Sequence, residues 1–124
     1  MATFGRTLIV VLDDSRARFY RREASGELAD GLPEVTSGID AADAPAQRSA
    51  KRKDFLRTVM AALDEACDRS ECDRLVAVGP ERMLSAFRKA SPDKVRVRLW
   101  REAAMEMDGL EKSELEQRLA PHFR

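Results

Sequence analysis

TLIVVLDDSRARFY, residues 7–20, is the stretch that decides how this sequence folds. It opens with an unbroken apolar run, Leu8 to Leu12, which is rich in β-branched residues and too short for a helix. Such a run predicts a strand that is covered on both faces, and therefore a central strand. The segment from Arg16 to Arg22 alternates between apolar and polar residues, which predicts a second strand with one solvated face.

Hydrophobic periodicity predicts the remaining elements. A turn at Ser25-Gly26 permits a hairpin into a weaker strand near 27–32. From there to residue 50 the sequence shows neither the period of a helix nor that of a strand, which predicts a flexible loop at about 33–50. Beyond the loop the pattern predicts, in order, a long amphipathic helix, a buried strand at 74–78, a short helix after Pro80, a strand at 94–100 and a helix at about 111–120.

The order of these elements predicts a single α/β domain. An N-terminal strand and a hairpin come first, and the alternation of helix, strand, helix, strand, helix that follows is typical of crossover units. We therefore expect a mixed, mostly parallel sheet of about five strands. A chain of 124 residues also fits one domain with one core.

Composition limits the partners that the chain can attract. Lys and Arg together number 22, as do Asp and Glu, so the net charge is zero and any electrostatic site must be local. The N-terminal segment predicts neither a signal peptide nor a membrane span, so we expect a cytoplasmic protein without a membrane partner. Cys67 and Cys72 have no second pair or nearby His, which predicts two separate reduced thiols and no metal or other cofactor.

The two acidic residues after the first strand are a candidate catalytic or metal site. Open α/β sheets bind ligands at the carboxyl ends of their strands, where Asp13 and Asp14 could hold Mg²⁺ or act as acid and base. Adjacent residues of an extended chain point to opposite faces, however, so both carboxylates cannot easily reach one ion. Because Asp side chains also cap turns, we favour a structural role for the pair.

Three further segments carry a family resemblance. They are DDSRARFY after the first strand, FLRTVMAALDEACDRSECDRLVAVGPERMLSAFRKA in the middle, and MDGLEKSELEQRL near the C-terminus. Together they resemble the bacterial host attachment protein family. That family is thought to be distantly related to the middle domain of archaeal and eukaryotic peptide-chain release factors and of the ribosome-rescue protein Pelota. The resemblance implies the fold of that middle domain and a connection with translation.

The resemblance also directs attention to Gln47. Release factors carry a Gly-Gly-Gln tip in the loop before the long helix, and this tip assists the attack of water on the peptidyl-tRNA ester. Here the corresponding loop reads APAQRSAKRKDF, with Gln47 near the matching place but Pro45 and Ala46 where two glycines would stand. Proline fixes φ where glycine permits unusual angles, so we do not expect release activity.

A basic segment beside Gln47 is a candidate binding site. Arg48, Lys51, Arg52 and Lys53 place four positive charges within six residues at the expected start of a helix. The helix dipole favours acids there, so this placement predicts a cost in stability. Charges in an unfavourable place are expected if they serve a partner, although a solvated basic turn accounts for them equally well.

A second candidate site lies near the end of the chain. Arg96, Arg98 and Trp100 share one face of the strand predicted at 94–100. This trio could stack on, and pair with, a nucleic acid or an acidic partner. A half-exposed face at the edge of a sheet is the alternative interpretation.

These patterns favour a noncatalytic binding module over an enzyme. The module would contact RNA, the ribosome or another translation component through the basic loop, and a protein partner or a second copy of the chain stays open. The alternative is a small hydrolase that acts at Asp13 and Asp14 or at Gln47. A hydrolase needs a nucleophile, a base and an oxyanion or metal site together, so we assign no catalytic residue.

Overall fold

The computed structural model describes residues 6–23, 25–106 and 111–123. Its strands are β1 (Thr7–Leu12), β2 (Arg16–Arg22), β3 (Leu28–Asp30), β4 (Val35–Thr36), β5 (Arg74–Gly79) and β6 (Leu99–Ala104). Its helices are α1 (Pro45–Asp68), α2 (Glu81–Ala90), α3 (Asp93–Arg96) and α4 (Lys112–Leu119), followed by a 3-10 turn, Ala120–Phe123.

The described strands form one mixed sheet. Their order is β3-β2-β1-β5-β6, and β4 also pairs with β2. β1 is antiparallel to β2 and parallel to β5, which in turn is parallel to β6. The crossovers through α1 and α2 thus join parallel neighbours, and the predicted α/β domain with a mixed sheet is confirmed.

β1 lies at the centre of the fold, and all six of its residues are buried. Leu8, Val10 and Leu12 belong to the core on the side of α1 and α2, whereas Ile9 and Val11 belong to the core on the side of α4. Successive side chains of a strand point to opposite faces, so an unbroken apolar run is what two cores require. The predicted central strand is therefore confirmed.

The helices cover the two faces of the sheet unequally. One face is covered by α1 and α2, whose buried residues are Phe55, Leu56, Val59, Met60, Leu63, Ala66 and Cys67 in α1 and Met83, Leu84 and Phe87 in α2. The other face meets α4, which buries Leu115 and Leu119. Among the described residues no helix is long and apolar enough to cross a membrane.

The bounds predicted for the loop, 33–50, are wrong at both ends. Val35–Thr36 form β4, and α1 begins at Pro45 rather than after residue 50. Proline suits the first turn of a helix because its missing N–H would have no partner there. Residues 45–50 are all exposed, so the apolar periodicity by which a helix is recognised begins only where α1 meets the sheet.

The strand predicted at 94–100 is also wrong in position. Asp93–Arg96 form the short helix α3, and the strand itself runs from Leu99 to Ala104. Val95 is buried whereas Val97 is 77% exposed, so the apparent alternation does not mark a strand. Because β6 lies at the edge of the described sheet, several of its residues are solvated and it lacks the apolar run of a central strand.

Gly79 permits a close approach between β5 and β1, and Gly79→Ala tests it. A Cβ at this position would lie 2.5 Å from the Leu12 carbonyl oxygen, so the central strands would have to shift. We expect the free energy of unfolding to fall by about 1–3 kcal/mol, as for other overpacked cores. Gly38 has nothing within 4 Å of such a Cβ, and Asn tolerates its positive φ of 70°, so Gly38→Asn is the control.

Urea titrations of both variants and of the wild type make the measurement. An unchanged free energy of unfolding for Gly79→Ala would contradict the close approach of the two strands.

Candidate functional site

The two acidic residues after β1 have different partners. Asp13 Oδ1 accepts hydrogen bonds at 2.8 Å from the Ser15 hydroxyl and from the backbone N–H groups of Ser15 and Arg16. Asp14 Oδ2 instead pairs with Arg82 at 2.8 Å. The structural role is confirmed for Asp13 as a turn cap, and Asp14 joins the end of β1 to α2. No group of three or more potential metal ligands occurs in the part of the chain that the structure describes.

The loop before α1 is held against that helix by basic side chains. Arg48 Nε donates to the Asp43 carbonyl oxygen at 3.2 Å, and Arg48 Nη2 donates to that of Ala41 at 3.0 Å. Lys51 Nζ donates to the Gly38 carbonyl oxygen at 3.0 Å and pairs with Asp43 Oδ2 at 2.7 Å. These side chains therefore fasten residues 38–43 to the first two turns of α1.

Gln47 also serves the start of the helix. Its Oε1 accepts a hydrogen bond from the Ala44 backbone N–H at 3.0 Å, as a glutamine does at the third position of a capped helix. We call Gln47, Arg48 and Lys51 together the loop clamp. Because the side-chain oxygen of Gln47 binds its own helix, the structure does not present it at the tip of a loop.

Asp43 is the acidic partner of the loop clamp. Its Oδ2 accepts a hydrogen bond from the Asp40 backbone N–H at 2.8 Å in addition to the contact with Lys51. The backbone hydrogen bond above all, and then Lys51, hold the pKa of the Asp43 carboxyl below its ordinary value of 3.8. The charged form is favoured in the fold, so this stabilisation is present above about pH 4 and is lost as the pH falls through the lowered pKa.

The loop clamp uses two residues of the basic segment. The predicted cost of positive charge at the start of α1 stays a prediction, but Arg48 and Lys51 make contacts that offset it, because both reach back to loop carbonyl oxygens. Arg52 is half-buried, and among the described residues its Nε has no hydrogen-bond partner. Lys53 is exposed on the surface of the helix. The four positive side chains therefore differ in their accessibility to a partner.

The predicted face of Arg96, Arg98 and Trp100 does not form. Arg96 lies in α3, where its Nη1 pairs with Asp93 at 3.1 Å. Arg98 donates from Nε to the Cys72 carbonyl oxygen at 3.2 Å and from Nη1 to that of Lys94 at 2.7 Å. Only Trp100 lies in a strand, because α3 takes up the residues before it.

Trp100 contacts two arginines that the sequence pattern did not indicate. The Cζ atoms of Arg74 and Arg101 lie 4.0 and 4.9 Å from the centroid of its ring. Pairing between β5 and β6 shifts register next to Leu75, which brings Trp100 to the first residue of β5. The pattern predicted the strand at 74–78 correctly, but it could not indicate this shift.

Cys67 and Cys72 are buried at the C-terminal end of α1. Both are free thiols, as predicted, and Cys72 Sγ donates to the Arg74 carbonyl oxygen at 3.5 Å. Burial raises the pKa of both thiols, and it raises that of Cys72 to about 12. Neutral, buried thiols are poor nucleophiles and metal ligands, so their arrangement is that of core residues.

Comparison with known proteins identifies the family. Residues 1–124 match the model of bacterial archaeo-eukaryotic release factor family 10. The chain belongs to this family. The predicted relationship to release factors is thereby confirmed over the whole sequence. No curated protein matches the chain.

Solved structures share the fold at low sequence identity. An archaeal protein matches with a TM-score of 0.62 and 13% identity over 94% of this chain and 34% of its own. An archaeal translation termination factor matches with a TM-score of 0.57 and 12% identity over 93% of this chain and 35% of its own. Pelota from Archaeoglobus fulgidus matches with a TM-score of 0.58 and 10% identity over 95% of this chain and 32% of its own. The chain spans about a third of each relative, and the likeness shows the fold.

Lys51→Met should loosen the loop before α1 and leave the sheet intact. Methionine keeps an unbranched apolar stem but can neither donate to the Gly38 carbonyl oxygen nor pair with Asp43. Amide hydrogen exchange at Asp40 and Asp43 should therefore become faster, while exchange in β1 stays unchanged. Lys53→Met is the control, since Lys53 is exposed on the same helix. Equal exchange in the two variants would contradict the loop clamp.

Cys72→Ala should flatten the loss of stability at high pH. The fold raises the thiol pKa from 9.0 to about 12, so the unfolded chain releases the proton first. The stabilisation is complete below about pH 9 and is lost at up to about 1.4 kcal/mol per pH unit as the pH rises toward 12. Urea titrations should show a steeper decline for the wild type than for Cys72→Ala, and parallel declines would count against a buried, neutral thiol.

Proposed function

We propose that this domain is a noncatalytic binding module that contacts RNA or the ribosome through the loop clamp and the first turns of α1. The observation that carries the proposal is the fastening of residues 38–43 to the helix by Arg48 and Lys51. A fastened loop meets a partner without the entropy loss of ordering a flexible one. Membership of a release-factor family supports a partner that belongs to translation.

Arg52 and Lys53 are the residues through which we expect phosphate contacts. Lys53 is exposed, whereas Arg52 is half-buried and its Nε is shielded from solvent, which leaves its terminal nitrogens to meet a phosphate. Positive side chains that neutralise phosphates release counterions from the nucleic acid, which gives affinity without sequence preference. Fixed loop atoms beside these two residues would set the orientation of the bound strand.

No observation favours the alternative of a small hydrolase. Asp13 caps a turn, Asp14 pairs with Arg82, and the side-chain oxygen of Gln47 binds the Ala44 N–H. Each candidate catalytic group thus has a structural partner. The host attachment resemblance names no molecular activity, so the proposal depends on the release-factor relationship and on the loop clamp.

Charge reversal at the first turns of α1 tests the proposal. We expect Arg52→Glu with Lys53→Glu to weaken binding of a fluorescein-labelled oligouridylate of about 12 nucleotides, and of purified ribosomes, at about 50 mM salt. The slope of log affinity against log salt should become shallower by about 0.7 for each phosphate that is no longer neutralised. Because Arg52 is half-buried, the single variant Lys53→Glu is also measured, and it gives the effect on binding of reversing one exposed charge.

The matched control is Arg69→Glu with Lys89→Glu, which changes the net charge equally at exposed positions far from the loop clamp. The control should bind like the wild type. Equal weakening in the two double variants, or no binding of RNA and ribosomes by the wild type at low salt, would refute the proposal.

A further inference from the structure

We infer a second RNA-binding surface at the amino ends of the parallel strands, where it would contact the phosphodiester backbone of a single strand. We call this surface the arginine edge and define it as Arg6, Arg21, Arg74, Trp100 and Arg101. It shares with the proposed function the class of partner, but it uses none of the residues of the loop clamp.

Trp100 holds two guanidinium groups in place. The Cζ atoms of Arg74 and Arg101 lie 4.0 and 4.9 Å from the centroid of its ring. Arg74 Nη2 also donates to Thr7 Oγ1 at 3.0 Å, and its Nε is buried, so this guanidinium is fixed by the fold. Arg101 is exposed, and its guanidinium can present N–H groups to a phosphate.

The arginine edge groups four arginines that are not paired with carboxylates in the part of the chain that the structure describes. Six other arginines form such pairs, whereas Arg48 and Arg98 donate to carbonyl oxygens; the six are Arg16, Arg57, Arg69, Arg82, Arg88 and Arg96. Within residues 6–23, 25–106 and 111–123, no carboxylate forms an ion pair with Arg6, Arg21, Arg74 or Arg101. Asp73 lies nearby, where its Oδ2 accepts from the Arg6 backbone N–H at 2.7 Å, and Glu23 lines the adjacent cavity. In a chain of zero net charge, four guanidinium groups beside two carboxylates leave a local excess of positive charge, which favours an anionic partner.

The members of the arginine edge lie around one end of the sheet. Thr7 pairs with Arg74 and Leu8 with Arg21, so Arg74 and Arg21 are on opposite faces of the sheet at this end. A cavity of about 290 Å³ is lined by Arg6, Thr7, Arg21, Arg22 and Glu23. Because Thr7 both lines the cavity and accepts the hydrogen bond from Arg74, the positive surface continues from the cavity to Trp100.

RNA fits this surface better than an acidic protein does. RNA offers phosphates to the guanidinium groups and also bases, which stack on aromatic rings and on the planes of arginine side chains. The half-buried ring of Trp100 already holds two guanidinium groups, so a base would stack on the exposed plane of Arg101, which can also meet a phosphate. An acidic peptide offers carboxylates but no base to stack.

The arginine edge lies far from the loop clamp. The first turns of α1 lie near the carboxyl end of β1, because Lys51 donates to the Gly38 carbonyl oxygen and the neighbouring Ser37 Oγ donates to that of Asp14. The helix ends just before Cys72 and β5. Its 24 residues make it about 36 Å long. Substitutions at one surface therefore leave the other surface unchanged, and the two can be tested independently.

Arg21→Glu with Arg101→Glu tests the inference, because both residues are exposed. Binding of the labelled oligouridylate should weaken about fiftyfold at ~50 mM salt, and the log-log salt slope should become shallower by about 1.4, as expected when two phosphates are no longer neutralised. Trp100 is the one tryptophan of the chain, so its fluorescence reports on this surface. We expect the fluorescence of the wild type to change over the same range of RNA concentrations in which binding is observed. Lys89→Glu with Lys112→Glu changes the charge equally at exposed residues of α2 and α4 and should bind like the wild type.

Four results would overturn the arginine edge: equal weakening in the control, no change in Trp100 fluorescence on binding, no RNA binding by the wild type, or polyglutamate binding that matches RNA and depends on Arg101. The variants also separate this inference from the proposed function. If only Arg52→Glu with Lys53→Glu weakens RNA binding, the proposed function stands and the arginine edge is refuted. If only Arg21→Glu with Arg101→Glu weakens it, the arginine edge stands and the proposed function is refuted.

Discussion

Burial of β1 on both faces determines where most of the other elements must lie. A strand with six buried residues needs a layer of helix on each side and a paired strand along each edge. α1 and α2 supply one layer, α4 contributes to the other, and β2 and β5 supply the edges. The close packing around β1 also requires a glycine at position 79, because the backbone of β1 leaves no space there for a Cβ.

The sequence predicted the elements that this core requires and failed where the core has little influence. β1, β2 and β5 and the buried stripes of α1, α2 and α4 follow from apolar spacing, since burial selects apolar residues at those positions. The first turns of α1 are exposed, and β6 lies at an edge, so neither shows the spacing of its class. Val95 and Val97 then resembled a strand although α3 takes up the first of them.

The candidate site was predicted as a set of charges but not as a set of contacts. The sequence shows Arg48 and Lys51, yet their acceptors are loop carbonyl oxygens whose positions depend on the folded loop. Likewise Trp100 was recognised as a candidate, but its contact with Arg74 depends on a register shift between β5 and β6. Family membership and fold agree with the resemblance in the sequence, while the proposed binding surfaces are argued from side-chain geometry.

Two basic surfaces at opposite ends of α1 are the proposed contacts of this domain with RNA. Photocrosslinking of a thiouridine-containing RNA to the wild-type protein, followed by mass spectrometry of the peptides, tests both surfaces in one experiment. We expect crosslinked peptides that contain Arg52 and Lys53 or Trp100 and Arg101, and we expect each crosslink to disappear when free RNA competes. Crosslinks confined to peptides around Asp13 and Asp14, or spread evenly over the surface, would contradict RNA binding at these two surfaces.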